Sequence, residues 1–428
     1  MSVAARAFLR ELFDVAVAAV APAVCVPPHL PAPPKGRTFV IGAGKAAAAM
    51  ARVVEDRWQG AVTGIVVTRY GHGVPCRSIE VIEAGHPLPD AAGTAAALRI
   101  RALADQAKAG DLVLCLLSGG GSALLALPAP GLALEHERVL TLALMRSGAA
   151  IAEINCVRKH LSDVKGGRLA LACAPARVHT LAISDVPGDD SAVIASGPTV
   201  ADPTTSTEAR AILSRYHVDV PAAVEAHLRS SQSETPKPGD PRLSDNAYVI
   251  VARARDALDA AASRARVAGV TPVLVSDQVV GDARDAARQH ARLVRTVLDR
   301  SGPVAPPCVL LSGGETTVTV RGSGRGGRNG EFLLALSTEL DGAPGVHAIA
   351  CDTDGIDGTA DNAGCIMTSD TLARARAAGL DATTALATND SHGFFDALGD
   401  LVLTGPTRTN VNDFRAILVT TGEADSDR

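Results

Sequence analysis

The chain has 428 residues, of which 47% are hydrophobic and only 3% aromatic, and its formal net charge at pH 7 is −5. This length exceeds what one hydrophobic core usually serves, so we expect two domains packed mainly by alanine, valine and leucine. The negative charge, without a basic stripe, excludes nucleic acid as an expected partner.

The cysteines and the first residues indicate the compartment. Eight cysteines lie far apart without CxxC spacing, which is typical of buried thiols in a reducing compartment rather than of disulfides or zinc ligands. Charged residues at helical spacing, among them Arg6, Arg10 and Asp14, interrupt the apolar N-terminal segment, so no signal or membrane-spanning core is expected. We expect a cytoplasmic monomer or homodimer with no membrane partner.

Strand and helix patterns alternate along the chain. Patterns typical of buried strands occur at 38–41, 64–68, 111–117 and 178–184. Helical periodicity occurs at 3–20, 46–58 and 134–152. Such alternation predicts an α/β fold with a Rossmann-like, mostly parallel sheet covered on both faces.

A change of composition divides the chain. Residues 230–244 are rich in Ser, Gln, Pro, Lys, Asp and Gly, which predicts a linker or domain boundary. We therefore place an N-terminal Rossmann-like domain at 1–235 and a C-terminal α/β domain at 245–428. The sequence leaves open whether the C-terminal strands pack back onto the first domain.

The first glycine-rich turn follows the first strand. Gly42-Ala-Gly44-Lys45 fits GxGxxA between a strand and a helix, where backbone N–H groups can bind an anion. A dinucleotide site would need an acidic residue at the end of the second strand, but Thr68–Tyr70 stands there. Lys45 can neutralise phosphate charge, although the turn is not a Walker A loop. The alternative is a surface lysine in a tight turn.

A second turn carries three consecutive glycines after a strand. These glycines let the backbone approach an anion closely and offer adjacent N–H donors, whereas the alternative is a tight turn without ligand. The candidate residues are Ser118, Gly119, Gly120, Gly121 and Ser122. A similar Ser-Gly-Gly follows a later strand, so Gly314 and Glu315 are further candidates for substrate or phosphate binding.

The segment 153–168 is unusually dense in cations for this chain. On a helix, Asn155, Lys159 and Ser162 share one face that suits a carboxylate or phosphate oxygen. Arg158 lies beside them, so Asn155, Arg158 and Lys159 are candidate binding residues. The alternative is a solvated, charged helix face.

Two acidic loops, 184–190 and 352–358, follow strands. Clustered carboxylates at strand ends suit Mg²⁺, which takes one or two carboxylates together with waters and substrate phosphates. The metal candidates are Asp189, Asp354 and Asp357, and the alternative for each loop is an Asp-Gly turn or a helix cap.

A glycine-rich segment at 321–331 lies immediately before a predicted helix. Its glycines predict mobility around Arg325 and Arg328, and a guanidinium there can stabilise the equatorial oxygens of a transferring phosphoryl group. Asn329 follows as a further binding candidate. The alternative is a flexible exposed turn.

Together these motifs resemble the bacterial type II glycerate kinases, which carry a C-terminal MOFRL segment and some of which are labelled hydroxypyruvate reductases. The similarity runs from about residue 35 to the C-terminal end. The residues that carry it are Gly42–Lys45, Leu117–Ser122, Val157–Ser162, Lys165–Arg168, Ser184–Asp189, Gly326–Asn329, Asp352–Gly358 and Thr409–Asp413.

The resemblance implies phosphorylation of D-glycerate by ATP with Mg²⁺, usually to 2-phosphoglycerate. It also implies an active-site cleft between the Rossmann-like domain and a smaller, mixed-sheet α/β domain. By the same resemblance, Lys45, Arg328 and Asp189 are the expected catalytic residues. Small molecules, D-glycerate and ATP, are then the expected partners.

Two other functions stay open at this point. The GxGxxA turn and the older family label favour an NAD(P)H-dependent hydroxypyruvate reductase, which the missing ribose-binding acid opposes. A sugar-acid binding protein without turnover is the other alternative. The residues alone indicate an anion-binding α/β enzyme suited to phosphoryl transfer, and glycerate follows from the resemblance.

Overall fold

Two six-stranded sheets organise the chain, one in each of two compact units. The structure is a computed structural model that describes residues 2–421, with Ser2 described by its backbone alone. The first unit comprises Cys25–Ser184 and Asp189–Val251. The second unit comprises the described parts of Met1–Val24, Asp185–Gly188 and Ala252–Arg428.

The strands are numbered in chain order. They are β1 (Thr38–Ala43), β2 (Val62–Arg69), β3 (Ile79–Ala84), β4 (Leu112–Leu117), β5 (Arg177–Ile183), β6 (Ala247–Ala252), β7 (Thr271–Asp282), β8 (Cys308–Thr317), β9 (Val346–Asp352), β10 (Gly364–Met367), β11 (Leu401–Val402) and β12 (Asp413–Val419).

The α-helices are numbered in the same way. They are α1 (Ser2–Ala19), α2 (Pro22–Cys25), α3 (Ala47–Arg57), α4 (Ala91–Ala104), α5 (Gly121–Leu124), α6 (Leu134–Arg146), α7 (Ile151–His160), α8 (Arg168–Cys173), α9 (Ser206–Arg215), α10 (Ala222–Arg229), α11 (Ala254–Val267), α12 (Ala283–Leu298), α13 (Arg328–Leu340), α14 (Thr371–Ala377), α15 (Ala382–Thr388) and α16 (Ser391–Ala397).

The sheet of the first unit has the strand order β3-β2-β1-β4-β5-β6, and the pairs from β3 to β5 are parallel. Strands β1 and β4 are buried along their whole length, as their continuous apolar sequences require in a sheet covered on both faces. In this order the chain reverses direction of winding between β1 and β4, which is where doubly wound folds bind ligands. The predicted Rossmann-like sheet is confirmed.

The sheet of the second unit has the order β11-β10-β9-β12-β8-β7 and is mixed, as predicted. Only β7 and β8 run parallel among its paired strands, and β12 lies antiparallel between β8 and β9. That register places Asp413 opposite both Gly314 and Asp352. Both C-terminal strands, β11 and β12, therefore belong to this second sheet.

The predicted helix at 134–152 and the predicted linker at 230–244 differ from the structure. The single helix expected at 134–152 is wrong, because the chain breaks it between α6 and α7, where Gly148 takes a left-handed φ of 75°. The expected linker at 230–244 lies within the first unit, where Thr235 is buried and donates a hydrogen bond to Asp202 at 3.2 Å. The domain boundaries at 235 and 245 stay a prediction. The division into compact units is a different one, with cuts after residues 24, 184, 188 and 251.

The cysteine side chains are mostly buried, as predicted. None of the eight cysteines, all within residues 2–421, forms a disulfide, and seven of them are buried. Across residues 2–421, no helix combines the length and the apolar content needed to cross a bilayer.

Candidate functional site

The turn after β1, Gly42–Lys45, is here called the GxG loop. Its glycines serve close backbone approach: a Cβ on Gly44, at φ +136°, would lie 2.2 Å from Ser118 Oγ, and one on Gly42 would lie 2.3 Å from the carbonyl oxygen of Leu116. The N–H of Gly44 donates to Val67 at 3.1 Å and that of Lys45 to Gly119 at 2.9 Å.

The N–H groups at the start of α3, the helix that follows the GxG loop, are also hydrogen-bonded within the fold. The N–H of Ala46 donates to Ser118 Oγ at 2.9 Å, and that of Ala47 donates to the carbonyl oxygen of Gly44 at 3.1 Å. Every N–H from Gly44 to Ala47 thus has an acceptor within the fold. The GxG loop offers no free backbone donor for a dinucleotide pyrophosphate, which such a site requires.

The triple-glycine loop, Ser118–Ser122, follows β4 and is different. The N–H of Gly121 donates to Ser118 at 3.2 Å, but among residues 2–421 no acceptor lies within hydrogen-bonding distance of the N–H groups of Gly119, Gly120 and Ser122. Gly120 has a left-handed φ of 81°. Successive N–H groups in such a turn form a concave anion site. The triple-glycine loop therefore keeps three backbone N–H groups open, as an anion site would require.

Three side chains lie against the triple-glycine loop: His86, Lys45 and Ser196. A Cβ on Gly120 would lie 2.9 Å from the His86 ring and 3.5 Å from Lys45 Cγ, so both side chains pack against this glycine. Ser122 Oγ lies 2.8 Å from the Oγ of the buried Ser196. The structure thus brings Lys45 to the open N–H groups. His86 and Ser196 were not predicted, because only the tertiary fold places them here.

The side chain of Arg158 contacts the backbone of the same loop. Its Nη2 donates to the carbonyl oxygen of Ser122 at 3.4 Å, and its Nε donates to Glu137 Oε1 at 3.2 Å. Lys165, fully buried, also bonds Glu137 Oε1, at 3.0 Å. Burial raises the pKa of Glu137, but Lys165 and Arg158 outweigh it and hold this pKa below its usual range. Arg158 supports the loop, and Glu137, which the sequence did not single out, anchors Arg158.

Lys159 and Ser162 of the cation-dense segment have structural partners, and Asn155 is buried. Lys159 is buried and pairs with Asp202 at 3.4 Å. Asn155 is buried on the same helix, α7. Ser162 lies beyond the end of α7 and donates to the carbonyl oxygen of Leu127 at 3.1 Å, so the expectation that it shares a helical face with Asn155 and Lys159 is wrong.

In the second unit, Arg328 begins α13 and is held by three carboxylates. Its Nε donates to Asp413 at 2.7 Å, its Nη2 to Asp352 at 2.7 Å and its Nη1 to Glu315 at 3.1 Å. Burial alone would lower the pKa of Arg328, but the carboxylates hold it well above its usual value. The guanidinium is permanently charged and its plane is fixed, while part of the side chain remains exposed.

Asp413 is the centre of this cluster. It is buried, and its Oδ1 also accepts a hydrogen bond from Asn329 Nδ2 at 2.7 Å. Its Oδ2 accepts a hydrogen bond from Arg415 Nη2 at 2.5 Å. Arg415 is fully buried, and its Cζ lies 4.9 Å from the centroid of the Phe332 ring. The sequence motif contained Asp352 and Asp413, but their role depends on β12 pairing with β8 and β9.

Asp357 caps the first turn of α13. Its carboxylate accepts hydrogen bonds from the N–H groups of Asn329 at 3.0 Å and Gly330 at 2.9 Å. Burial raises the pKa of Asp357 to about 6. The helix-cap alternative raised for the second acidic loop is therefore observed at Asp357.

The remaining predicted residues of the acidic loops lie apart from this cap. Asp189, in the first unit, is half-buried with a left-handed φ of 56°. Asp354, in the second unit, is buried and accepts a hydrogen bond from the N–H of Ile356 at 2.8 Å. Within residues 2–421 no group of three or more His, Cys, Asp or Glu side chains is placed to hold a metal ion. One carboxylate with phosphates and waters would suffice for Mg²⁺.

The loop 321–327 is held firmly, so the expected mobility is wrong. The N–H of Gly324 donates to Thr388 at 3.0 Å and that of Arg325 to Asp390 at 3.0 Å. A Cβ on Gly324 would lie 2.5 Å from Asp390 Cβ. The glycines allow close packing here, as does Gly314 in β8, whose Cβ would lie 2.3 Å from the N of Val279.

The pKa of Asp357 gives a prediction for the pH dependence of stability. Its folded pKa of about 6 exceeds its unfolded value, so its contribution is fully present below the unfolded pKa and is lost as pH rises through 6. Asp357→Asn does not titrate. Relative to wild type, its free energy of unfolding should therefore rise by as much as about 3 kcal/mol between pH 4 and pH 7.5.

Urea unfolding of both proteins at the two pH values measures this difference, since all other groups titrate alike in both. Asp219→Asn, at an exposed position in the first unit, is the control and should show no such trend. A difference between Asp357→Asn and wild type that does not change with pH would contradict the raised pKa.

Comparisons with known proteins identify the family of the chain. Residues 8–229 match the family model described as a domain of unknown function, DUF4147. Residues 308–413 match the MOFRL family, which confirms the predicted C-terminal segment.

Among similar proteins, an Agrobacterium vitis protein provisionally named hydroxypyruvate reductase is 50% identical, over 97% of this chain and 95% of its own. The D-glycerate 2-kinase of Thermotoga maritima is 40% identical, over 94% and 95% of the two chains. The crystal structure of the Thermotoga maritima glycerate kinase superimposes with a TM-score of 0.88 at 38% identity, over 97% and 99%. On these matches, the chain belongs to the DUF4147/MOFRL glycerate kinase family.

Proposed function

We propose that this chain transfers the γ-phosphoryl group of ATP to D-glycerate and forms 2-phospho-D-glycerate. The similarity to the D-glycerate 2-kinase of Thermotoga maritima supports the choice of substrate and product. The observation that carries the proposal is the triple-glycine loop, whose three open N–H groups lie beside Lys45.

The acceptor substrate fits this loop by its charge. The carboxylate of D-glycerate accepts hydrogen bonds from the N–H groups of Gly119, Gly120 and Ser122. Gly119 is buried, Gly120 and Ser122 are half-buried, and Arg158 holds the loop at the carbonyl oxygen of Ser122, so the donors need no rearrangement when the substrate binds. Lys45 adds a positive charge that can neutralise the substrate carboxylate or the phosphoryl group.

The chemistry needs positioning and charge neutralisation. The glycerate hydroxyl oxygen bonds to the γ-phosphorus while the bond from that phosphorus to the β,γ-bridging oxygen breaks, and ADP leaves. We assign Lys45 and Arg328 to the oxygens of the transferring phosphoryl group. Asp189 or Asp354 accepts the hydroxyl proton or holds Mg²⁺, which when bound neutralises the phosphates.

Arg328 suits this role because its orientation is fixed before any ligand binds. Three carboxylates hold its guanidinium, so the group loses little freedom when it meets the phosphoryl oxygens. Asp357 is the weaker metal candidate, because both of its oxygens already accept N–H groups of α13.

A reductase is the second candidate, favoured by the name of the Agrobacterium vitis relative. Two features of the first unit oppose it. Strand β2 ends at Arg69 without a carboxylate for the ribose, and the N–H groups of the GxG loop are already bonded within the fold.

The two functions are separated by one assay. Purified protein with D-glycerate and Mg·ATP should release ADP, and the phosphorus NMR spectrum of the product should show a phosphate on the 2-hydroxyl. Absence of ADP, together with consumption of NADH that requires hydroxypyruvate, would refute the kinase proposal in favour of the reductase.

The assigned charges give a direct mutational prediction. Lys45→Ala and Arg328→Ala should each lower kcat by about a hundredfold or more, since each removes a charge that stabilises the transition state. Lys108→Ala, at an exposed lysine of the first unit, is the control and should keep wild-type kcat. Near-normal turnover in either variant, with its thermal unfolding unchanged, would remove that residue from the mechanism.

The triple-glycine loop gives a second prediction with a matched control. In Gly120→Ala, the new Cβ meets the His86 ring at 2.9 Å, and the residue must keep φ +81°. Gly131→Ala imposes the same strain at φ +82°, but nothing lies within 4 Å of its Cβ. Kinetics should show KM for D-glycerate raised by about tenfold or more in Gly120→Ala.

The control separates loop geometry from backbone strain. Gly131→Ala should lose some thermal stability but keep the wild-type KM for D-glycerate. Equal values of KM in wild type and Gly120→Ala would mean that the loop does not contact the substrate.

A further inference from the structure

A cavity of about 430 Å³ lies in the second unit beside Arg328, outside the residues assigned to glycerate. Its volume falls in the range of small-molecule sites. The residues that define its two ends are Thr317, Val318, Val320, Gly326, Gly327 and Arg328.

One wall of the cavity is apolar. Val320 is 75% exposed although it lines a concave surface, and Val318 packs against the core of the second unit, which fixes this wall. An exposed valine at a convex surface is ordinary, but a valine in a cavity leaves apolar surface that a flat ring can cover.

The other end of the cavity is polar and suits an anion. Arg328 lines it with its fixed charge. The N–H groups of Gly326, Gly327 and Arg328 have no acceptor in the described part of the chain, residues 2–421. These N–H groups make no hydrogen bond to the described residues, so an oxyanion bound at this end of the cavity can accept hydrogen bonds from them.

The carboxylates around the cavity restrict the form of that anion. Glu331 is neutralised by Arg284 at 2.7 Å, but Glu315 is exposed beside Arg328. Glu315, which also pairs with Arg328, would repel a free polyphosphate, whereas a divalent cation on the polyphosphate lowers this repulsion.

We infer that this cavity binds the nucleotide as its Mg²⁺ complex, with the base on the wall of Val318 and Val320 and the phosphates at Arg328. The inference rests on the proposed function and adds to it a place for the phosphoryl donor. The site is formed in advance, because the loop 321–327 is pinned to Thr388 and Asp390.

Two variants test the cavity from different walls. Val320→Asp puts a charge on the apolar wall, and Thr317→Trp fills the cavity with a large side chain. Each should weaken binding of Mg·ADP, measured by calorimetry, by about tenfold or more, and raise KM for ATP similarly. KM for D-glycerate should stay within about twofold of wild type.

Val267→Asp is the matched control, because Val267 is 82% exposed on α11 in the same unit and does not line the cavity. It should bind Mg·ADP as wild type does. Thermal unfolding followed by circular dichroism verifies that each variant is folded.

The outcomes are distinct for the two proposals. Wild-type affinity for Mg·ADP in both Val320→Asp and Thr317→Trp, or no binding of Mg·ADP by the wild type, overturns the cavity assignment. If the wild type forms no ADP with D-glycerate but Val320→Asp still abolishes binding of Mg·ADP, the cavity assignment stands and the proposed function fails.

Discussion

Backbone hydrogen bonding at the ends of β1 and β4 determines where the first unit can bind an anion. The two strands are parallel neighbours, so their loops meet at one edge of the sheet. The triple-glycine loop satisfies the N–H groups of Lys45 and Ala46 and keeps three of its own unbonded. Adjacent open N–H groups in a turn beside a lysine form a concave, positively polarised site, so these three donors are expected to serve an anionic ligand.

The second unit solves a related problem with side chains. An arginine meant for a phosphoryl group must be charged and oriented before the ligand arrives. Asp413 and Asp352 lie on neighbouring strands, and their carboxylates hold Arg328 from two sides. The buried Arg415 in turn compensates Asp413. The orientation of Arg328 thus depends on the register of β12.

Local patterns predicted much of this structure, and tertiary contacts account for the rest. The glycine turns and the strand ends could be located because their chemistry is contained in a few adjacent residues. Ser196 and Glu137 could not, since they reach the triple-glycine loop only through the fold. The mobility predicted for the loop 321–327 is wrong because its glycines permit close packing on Asp390.

The proposed function depends most on binding of the substrate carboxylate by the triple-glycine loop. A crystal structure of the protein with D-glycerate tests this claim most directly. We expect a carboxylate oxygen within about 3 Å of the backbone nitrogens of Gly119 and Gly120, with Lys45 turned toward the ligand. A carboxylate bound elsewhere, with these N–H groups still unbonded, would contradict the assignment of the triple-glycine loop to the substrate carboxylate.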